Sequence, residues 1–92
     1  MKNKVKICGI KFKVSEREVI DEPQEGIIQG MIEYSKARIY LKKGLPKRLK
    51  EPVLYHEIVH GILMQLGYDK LNEDETFVQQ MANALYGTFK LR

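Results

Sequence analysis

The stretch Pro52-Val53-Leu54-Tyr55-His56-Glu57-Ile58-Val59-His60-Gly61-Ile62-Leu63-Met64-Gln65-Leu66-Gly67 decides how the rest of the chain is read. Val53, Ile58, Val59, Ile62, Leu63 and Leu66 recur at the three- and four-residue intervals of a helix with a buried side. Pro52 suits the first turn of such a helix, where a missing N–H costs nothing. Gly67 suits its end, because glycine accepts the left-handed backbone that closes many helices.

Both histidines of the chain lie in this helix. Residues four apart share a helical face, one turn up, so His56 and His60 can present two imidazoles to one ion. Neutral imidazoles at a tetrahedral site are a common zinc arrangement. Glu57 is rotated from His56 by about 100° around the axis, so it points beside such an ion. A general base for a metal-activated water belongs there. The plainer alternative is two surface histidines and a solvated carboxylate.

Two histidines do not complete a catalytic zinc site, which usually has three protein ligands and an open position. With no third histidine, a carboxylate is needed. Asn72-Glu73-Asp74-Glu75 opens a second helix whose apolar stripe is Phe77, Val78, Met81, Ala82, Leu85 and Phe89. An antiparallel return after Gly67 brings this stretch back towards the histidines. Glu75 shares a face with Val78, Ala82 and Tyr86 and is the favoured ligand, with Asp74 second; Glu73 points away. Asn72 and Glu75 are also spaced as the two partners of a capping box, and spacing alone leaves ligand and cap balanced.

Before the helix the chain reads as strands. Val5 and Ile7 alternate with lysines, as do Ile10, Phe12 and Val14, and the phase slips at Cys8-Gly9. A slip at glycine predicts a bulge or a tight bend, with Cys8 as a buried apolar filler beside it. Residues 15–26 read as a polar loop with Pro23 and Gly26. Ile27 to Leu41 reads as a hairpin turning at Ser35-Lys36-Ala37, followed by a loop from Lys42 to Glu51. Gly87 is expected to weaken the last turn of the second helix.

Ninety-two residues predict one domain, residues 1–92, with a small core that a bound metal would help to hold. A single cysteine excludes an intrachain disulfide and suits a reducing, cytoplasmic setting. No run approaches a membrane span, and the charged first residues do not resemble a secretory signal. The net charge of +4 comes largely from Lys2, Lys4, Lys6, Lys11 and Lys13, and from the cations flanking Gly44-Leu45-Pro46. With no nucleic-acid motif beside them, these read as a solvated strand edge and a solvated loop, and nucleic acid is not an expected partner.

His56-Glu57-Ile58-Val59-His60-Gly61-Ile62, followed by Glu75-Thr76-Phe77-Val78-Gln79-Gln80-Met81-Ala82, resembles the compact phage and bacterial gluzincins related to the ImmA/IrrE family of metallo-endopeptidases. Ile32-Glu33-Tyr34 to Arg38-Ile39-Tyr40-Leu41 resembles the strand region that precedes the motif there, so the likeness covers about residues 26–90. The resemblance implies a zinc ion held by His56, His60 and Glu75, with Glu57 catalytic. It implies an α+β fold, with a small antiparallel sheet on the active-site helix and a second helix carrying the third ligand. It implies a protein or peptide substrate, such as a regulator, taken as an added strand at a sheet edge; the hairpin Ile32 to Leu41 would supply that edge.

The chain departs from the family in being shorter, and no segment reads as an added DNA-binding or regulatory domain. No residue is assigned to stabilise an oxyanion; Tyr34, Tyr55 and Tyr86 are available, each also readable as packing with a hydrogen-bonded hydroxyl. The leading expectation is a zinc metallo-endopeptidase. The alternative is a metal-stabilised protein-binding module with little or no catalysis.

Overall fold

The computed structural model describes residues 3–18 and 29–89. The expected loop residues 19–26, and the first two residues of the expected Ile27–Leu41 hairpin, lie outside them. The fold is α+β. The strands β1 (Lys4–Ile7), β2 (Ile10–Arg17), β3 (Gly30–Glu33) and β4 (Arg38–Lys42) precede the helices α1 (Lys47–Leu66), α2 (Asp69–Glu73) and α3 (Glu75–Phe89).

The slip at Cys8-Gly9 is a tight bend. Ile7 pairs with Ile10, and the two residues between them have φ of 50° and 85°. Two consecutive left-handed residues make the two-residue turn whose twist suits a hairpin. The tip of such a turn points into solvent, so Cys8 is exposed and not the buried filler expected of it.

The second hairpin pairs β3 with β4 antiparallel, Gly30 opposite Leu41 and Glu33 opposite Arg38. The sheet order is β1-β2-β4-β3, and β2 runs parallel to β4. The sheet is therefore mixed rather than wholly antiparallel as anticipated. Two antiparallel hairpins lie side by side with their second strands in the centre, and the long connection from β2 to β4 permits a parallel pair. This pairing also extends β2 to Arg17, three residues into the expected loop, with Ser15 opposite Tyr40 and Arg17 opposite Lys42. Between them Glu16 faces the helix side, where Lys50 Nζ donates to its Oε2 at 3.1 Å.

The helix α1 begins earlier than Pro52. The Pro46 carbonyl accepts from Leu49 N at 2.8 Å and Lys50 N at 3.1 Å, so Pro46 is the proline that opens the helix and Pro52 lies inside it. The helix ends at Gly67, φ 79°, where Tyr68 N donates to Leu63 O at 3.0 Å and Gly67 N to Met64 O at 3.2 Å. This double bond pattern is a Schellman closure. Gly87 does not end α3, which continues to Phe89.

The core has two compartments with α1 between them. Ile7, Phe12, Val14, Ile39 and Leu41 of the sheet pack on Leu54, while Val59 and Leu63 pack on Val78 and Ala82 of α3. Burying α1 on two sides fixes its rotation, and with it the direction of His56 and His60. Gly61 allows the close approach to the sheet. A Cβ there would lie 2.8 Å from Ile7 Cδ1 and 3.2 Å from Ile32 Cδ1. Among the described residues no helix is long and apolar enough to cross a membrane.

Candidate metal centre

His56 and His60 project from adjacent turns of α1, with ring centroids 5.0 Å apart and planes inclined by 67°. The Gly67 closure and the short α2 return the chain so that α3 begins opposite them. Glu75, the first residue of α3, bridges the two rings: Oε1 lies 3.1 Å from His56 Nε2 and Oε2 lies 3.3 Å from His60 Nε2. Ligand atoms of all three residues lie within 4.8 Å of one another. The sequence balanced Glu75 between ligand and cap. The cap is Asp74, whose Oδ1 accepts from Phe77 N at 3.1 Å while its carbonyl accepts from Val78 N at 3.0 Å. Asp74 is thus engaged with the backbone of α3, and Glu75 is free to face the imidazoles.

Asn72, expected to cap α3, instead serves the site. Its Oδ1 lies 2.6 Å from His60 Nδ1, and its Nδ2 donates to the Tyr34 hydroxyl at 3.3 Å. Gln79 does the same for the other ring: its Oε1 lies 2.8 Å from His56 Nδ1 while its Nε2 donates to Asn83 Oδ1 at 2.9 Å. These second bonds orient both amides, so each presents an oxygen to its histidine. An amide oxygen only accepts, so each Nδ1 carries the proton. In a neutral imidazole the Nε2 lone pair is then left facing the Glu75 carboxylate. Two lone-pair donors and a carboxylate at these distances repel one another unless protons or a cation lie among them. Two nitrogens and an oxygen form a borderline donor set that suits zinc. The residues present therefore fit the metal that the motif implies.

Asn72 and Gln79 were not recognised in the sequence as site residues. Gln79 had a signal, since it lies one turn after Glu75 on α3 and so shares its face. Asn72 was masked by its resemblance to a cap.

Glu57 belongs to the same cleft but not to the donor set. It is 7% exposed, the one buried charged side chain among the described residues. Burial pushes its carboxyl up to about 7; the nearby Glu75 acts in the same direction and His60 opposes both. Gly30 of β3 makes room for it, since a Cβ there would lie 2.7 Å from Val53 Cγ1 and 3.3 Å from Glu57 Oε2.

Of the three tyrosines left open by the sequence, Tyr34 is at the site. It follows β3, lines the cleft with His56, Glu57, His60 and Glu75, and its hydroxyl lies 3.5 Å from His60 O. Burial raises its pKa, the Asn72 bond counteracts this, and Glu57 and Glu75 raise it further. It therefore remains a neutral phenol, able to donate. Tyr55 and Tyr86 pack edge to face, with centroids 5.5 Å apart, and Tyr55 donates to Phe89 O at 3.4 Å.

The cleft measures about 820 Å³ and runs between β3 and α1, from the histidines to an apolar end at Met31, Leu49, Pro52 and Val53. Its sheet side is the outermost strand, β3, which among the described strands pairs only with β4. Comparison with protein-family models, with curated proteins and with solved structures gives no match, so the reading of this centre rests on its own residues.

Proposed function

We propose that the chain is a zinc-dependent metallo-endopeptidase of the gluzincin type, related to the ImmA/IrrE family, with His56, His60 and Glu75 as the ligands. The observation that carries this reading is the convergence of those three donors beside a buried Glu57, in an open cleft bordered by a sheet edge. Zinc held there would supply a Lewis acid that polarises a carbonyl and makes water a stronger nucleophile at neutral pH.

The residues of the chain then do the rest. An extended peptide lies along β3 as an added strand, held by main-chain hydrogen bonds. Glu57 accepts a proton as water adds to the scissile carbonyl carbon. As the C–N bond breaks, it returns that proton to the departing amine. Tyr34 donates its hydroxyl to the carbonyl oxygen as negative charge gathers on it. A protein substrate, such as a regulator, and a cytoplasmic setting complete the proposal.

A metal-stabilised binding module remains the competing function. A metal that only supports the fold does not require a buried carboxylate beside its ligands, so Glu57 favours hydrolysis. Glu57→Gln keeps all three metal ligands and removes the base. Zinc content of the purified variant should match wild type, while cleavage of a peptide library should fall by about 10² to 10⁴. Undiminished cleavage in Glu57→Gln refutes the mechanism. A zinc-loaded wild type that cleaves nothing in the library but binds one member tightly favours the module.

A further inference from the structure

The helices cover one face of the sheet, and among the described residues no element covers the other. The strand register decides what that open face carries. Lys4 lies opposite Lys13 and Lys6 opposite Lys11 across β1 and β2. Lys13 is again opposite Arg38, and Arg17 opposite Lys42, across β2 and β4. The sequence scatters these cations over three segments, where Lys4, Lys6, Lys11 and Lys13 read as a solvated strand edge and Lys42 as part of a solvated loop. The fold gathers the seven of them onto one surface, six exposed and Lys42 half-buried. Among the described strand residues that face has one carboxylate, Glu33, on the outermost strand β3 opposite Arg38.

A merely solvated sheet face would not be built this way. Like charges directly opposite each other destabilise a sheet, and opposite charges there stabilise it. Ordinary protein surfaces intersperse both signs. Here four cross-strand pairs are cation against cation, and Lys13 takes part in two of them. The described ion pairs of Lys36, Lys43 and Lys50 involve none of the seven. The repulsion is relieved when a dense polyanion covers the face.

We propose that this face binds the phosphate backbone of double-stranded nucleic acid without reading its sequence. From Lys11 to Arg17 the row spans about 20 Å, and the three strands β1, β2 and β4 spread it over about 10 Å at their usual spacing. A duplex carries one charge per about 1.7 Å of axis, a density that an acidic protein patch of mixed sign does not reach. On β2, Lys11 and Lys13 project about 7 Å apart and Arg17, beyond Ser15, about 13 Å further along, close to two and four times the axial spacing of about 3.4 Å between charges on one strand of a duplex. Single strands are held by base stacking on aromatic rings. The one ring on this face, Tyr40, is 3% exposed and lies under the Arg17 guanidinium, 3.7 Å from the ring centroid. A membrane surface would call for apolar side chains projecting among the cations, and the β1 and β2 rows have none. This departs from the expectation drawn from the sequence, and it does not depend on the proposed peptidase activity.

The test is fluorescence anisotropy of the full chain with a labelled 20-base-pair duplex of arbitrary sequence. Wild type should bind at 50 mM salt with equal affinity for unrelated duplexes. The slope of log K against log salt should be about −4.5 to −6.3, as five to seven phosphate contacts require. Lys13→Glu should weaken binding at least tenfold and raise the melting temperature by about 2–6 °C, because two repulsive pairs become attractive. Lys70→Glu, the same charge change on α2, should alter affinity less than twofold. No duplex binding by folded wild type overturns the proposal. So does equal loss in Lys70→Glu, which would mean a net-charge effect. Binding to vesicles with 30% anionic lipid but not to the duplex also overturns it and assigns the face to a membrane surface.

Discussion

Asn72 Oδ1 lies 2.6 Å from His60 Nδ1, so a residue that the sequence offers as a helix cap instead orients an imidazole of the proposed metal site. Outer partners of this kind typically affect metal affinity 10- to 100-fold. Asn72→Ala should weaken zinc binding by about that factor, measured by competition with a chromophoric chelator. Gln79→Ala should act similarly through His56, while Asn83→Ala, one step further out, should have the smaller effect. Unchanged affinity in both Asn72→Ala and Gln79→Ala would remove them from the site.

Neighbours Asp74 and Glu75 should separate cleanly. Asp74→Ala removes an N-cap and should cost about 1 kcal/mol of stability with zinc affinity nearly intact. Glu75→Gln keeps the shape but loses the charged oxygen, and should release most of the zinc under the same chelator challenge. If Asp74→Asn lowers zinc affinity and Glu75→Gln does not, the ligand is Asp74.

The buried Glu57 gives the metal-free protein a pH signature. Its carboxyl has a folded pKa of about 7, raised above 4.5 chiefly by burial. The folded state therefore holds this proton more tightly than the unfolded state. Its stabilising contribution is complete below pH 4.5 and is lost as pH rises through about 7. The span corresponds to about 3 kcal/mol. Urea unfolding of chelator-treated protein between pH 4.5 and pH 8 should show this loss in wild type, and Glu57→Gln should flatten it. Parallel pH profiles for the two proteins would contradict the assignment.

Gly30 should be intolerant of even one methyl group. The added Cβ would meet Val53 Cγ1 at 2.7 Å, and a β-branched valine cannot swing aside as a long side chain would. Gly30→Ala should cost about 1–3 kcal/mol by overpacking and displace Glu57. Turnover should fall further than zinc content, and a crystal structure of the variant should show the moved carboxylate.

Tyr34→Phe isolates the hydroxyl. If the phenol stabilises the developing oxyanion, kcat should fall by about 10² to 10³ with KM and zinc content little changed. A change confined to KM would make Tyr34 a substrate-binding residue.

How legible these features were depends on the distance over which each is encoded. The helix α1 was legible because its evidence is local: the His56–His60 spacing, the apolar periodicity and Gly67 all lie within one element. Its first turns were missed because Lys47 to Glu51 are polar except Leu49 and exposed to half-buried, and one apolar residue makes no amphipathic pattern. The hairpin of β3 and β4 was visible for the same local reason, and that of β1 and β2 as extended chain with a bulge or bend at Cys8-Gly9. Their parallel junction was not, because the pairing of Val14 with Ile39 depends on a connection with no periodicity of its own. Glu75 was legible only as one of two roles. The structure gives the cap to Asp74 and leaves Glu75 facing the imidazoles, an outcome of backbone geometry rather than of residue type.

The one-sided layering of the molecule has a practical corollary. Helices and most of the cleft lie on one side of the four-stranded sheet and the cation rows on the other, so a peptide and a duplex would share little more than the edge strand β3. Occupancy of one should leave the other's affinity unchanged. A substrate protein resting on the same duplex would then meet the cleft at the high effective concentration of a tethered pair rather than at its concentration in bulk.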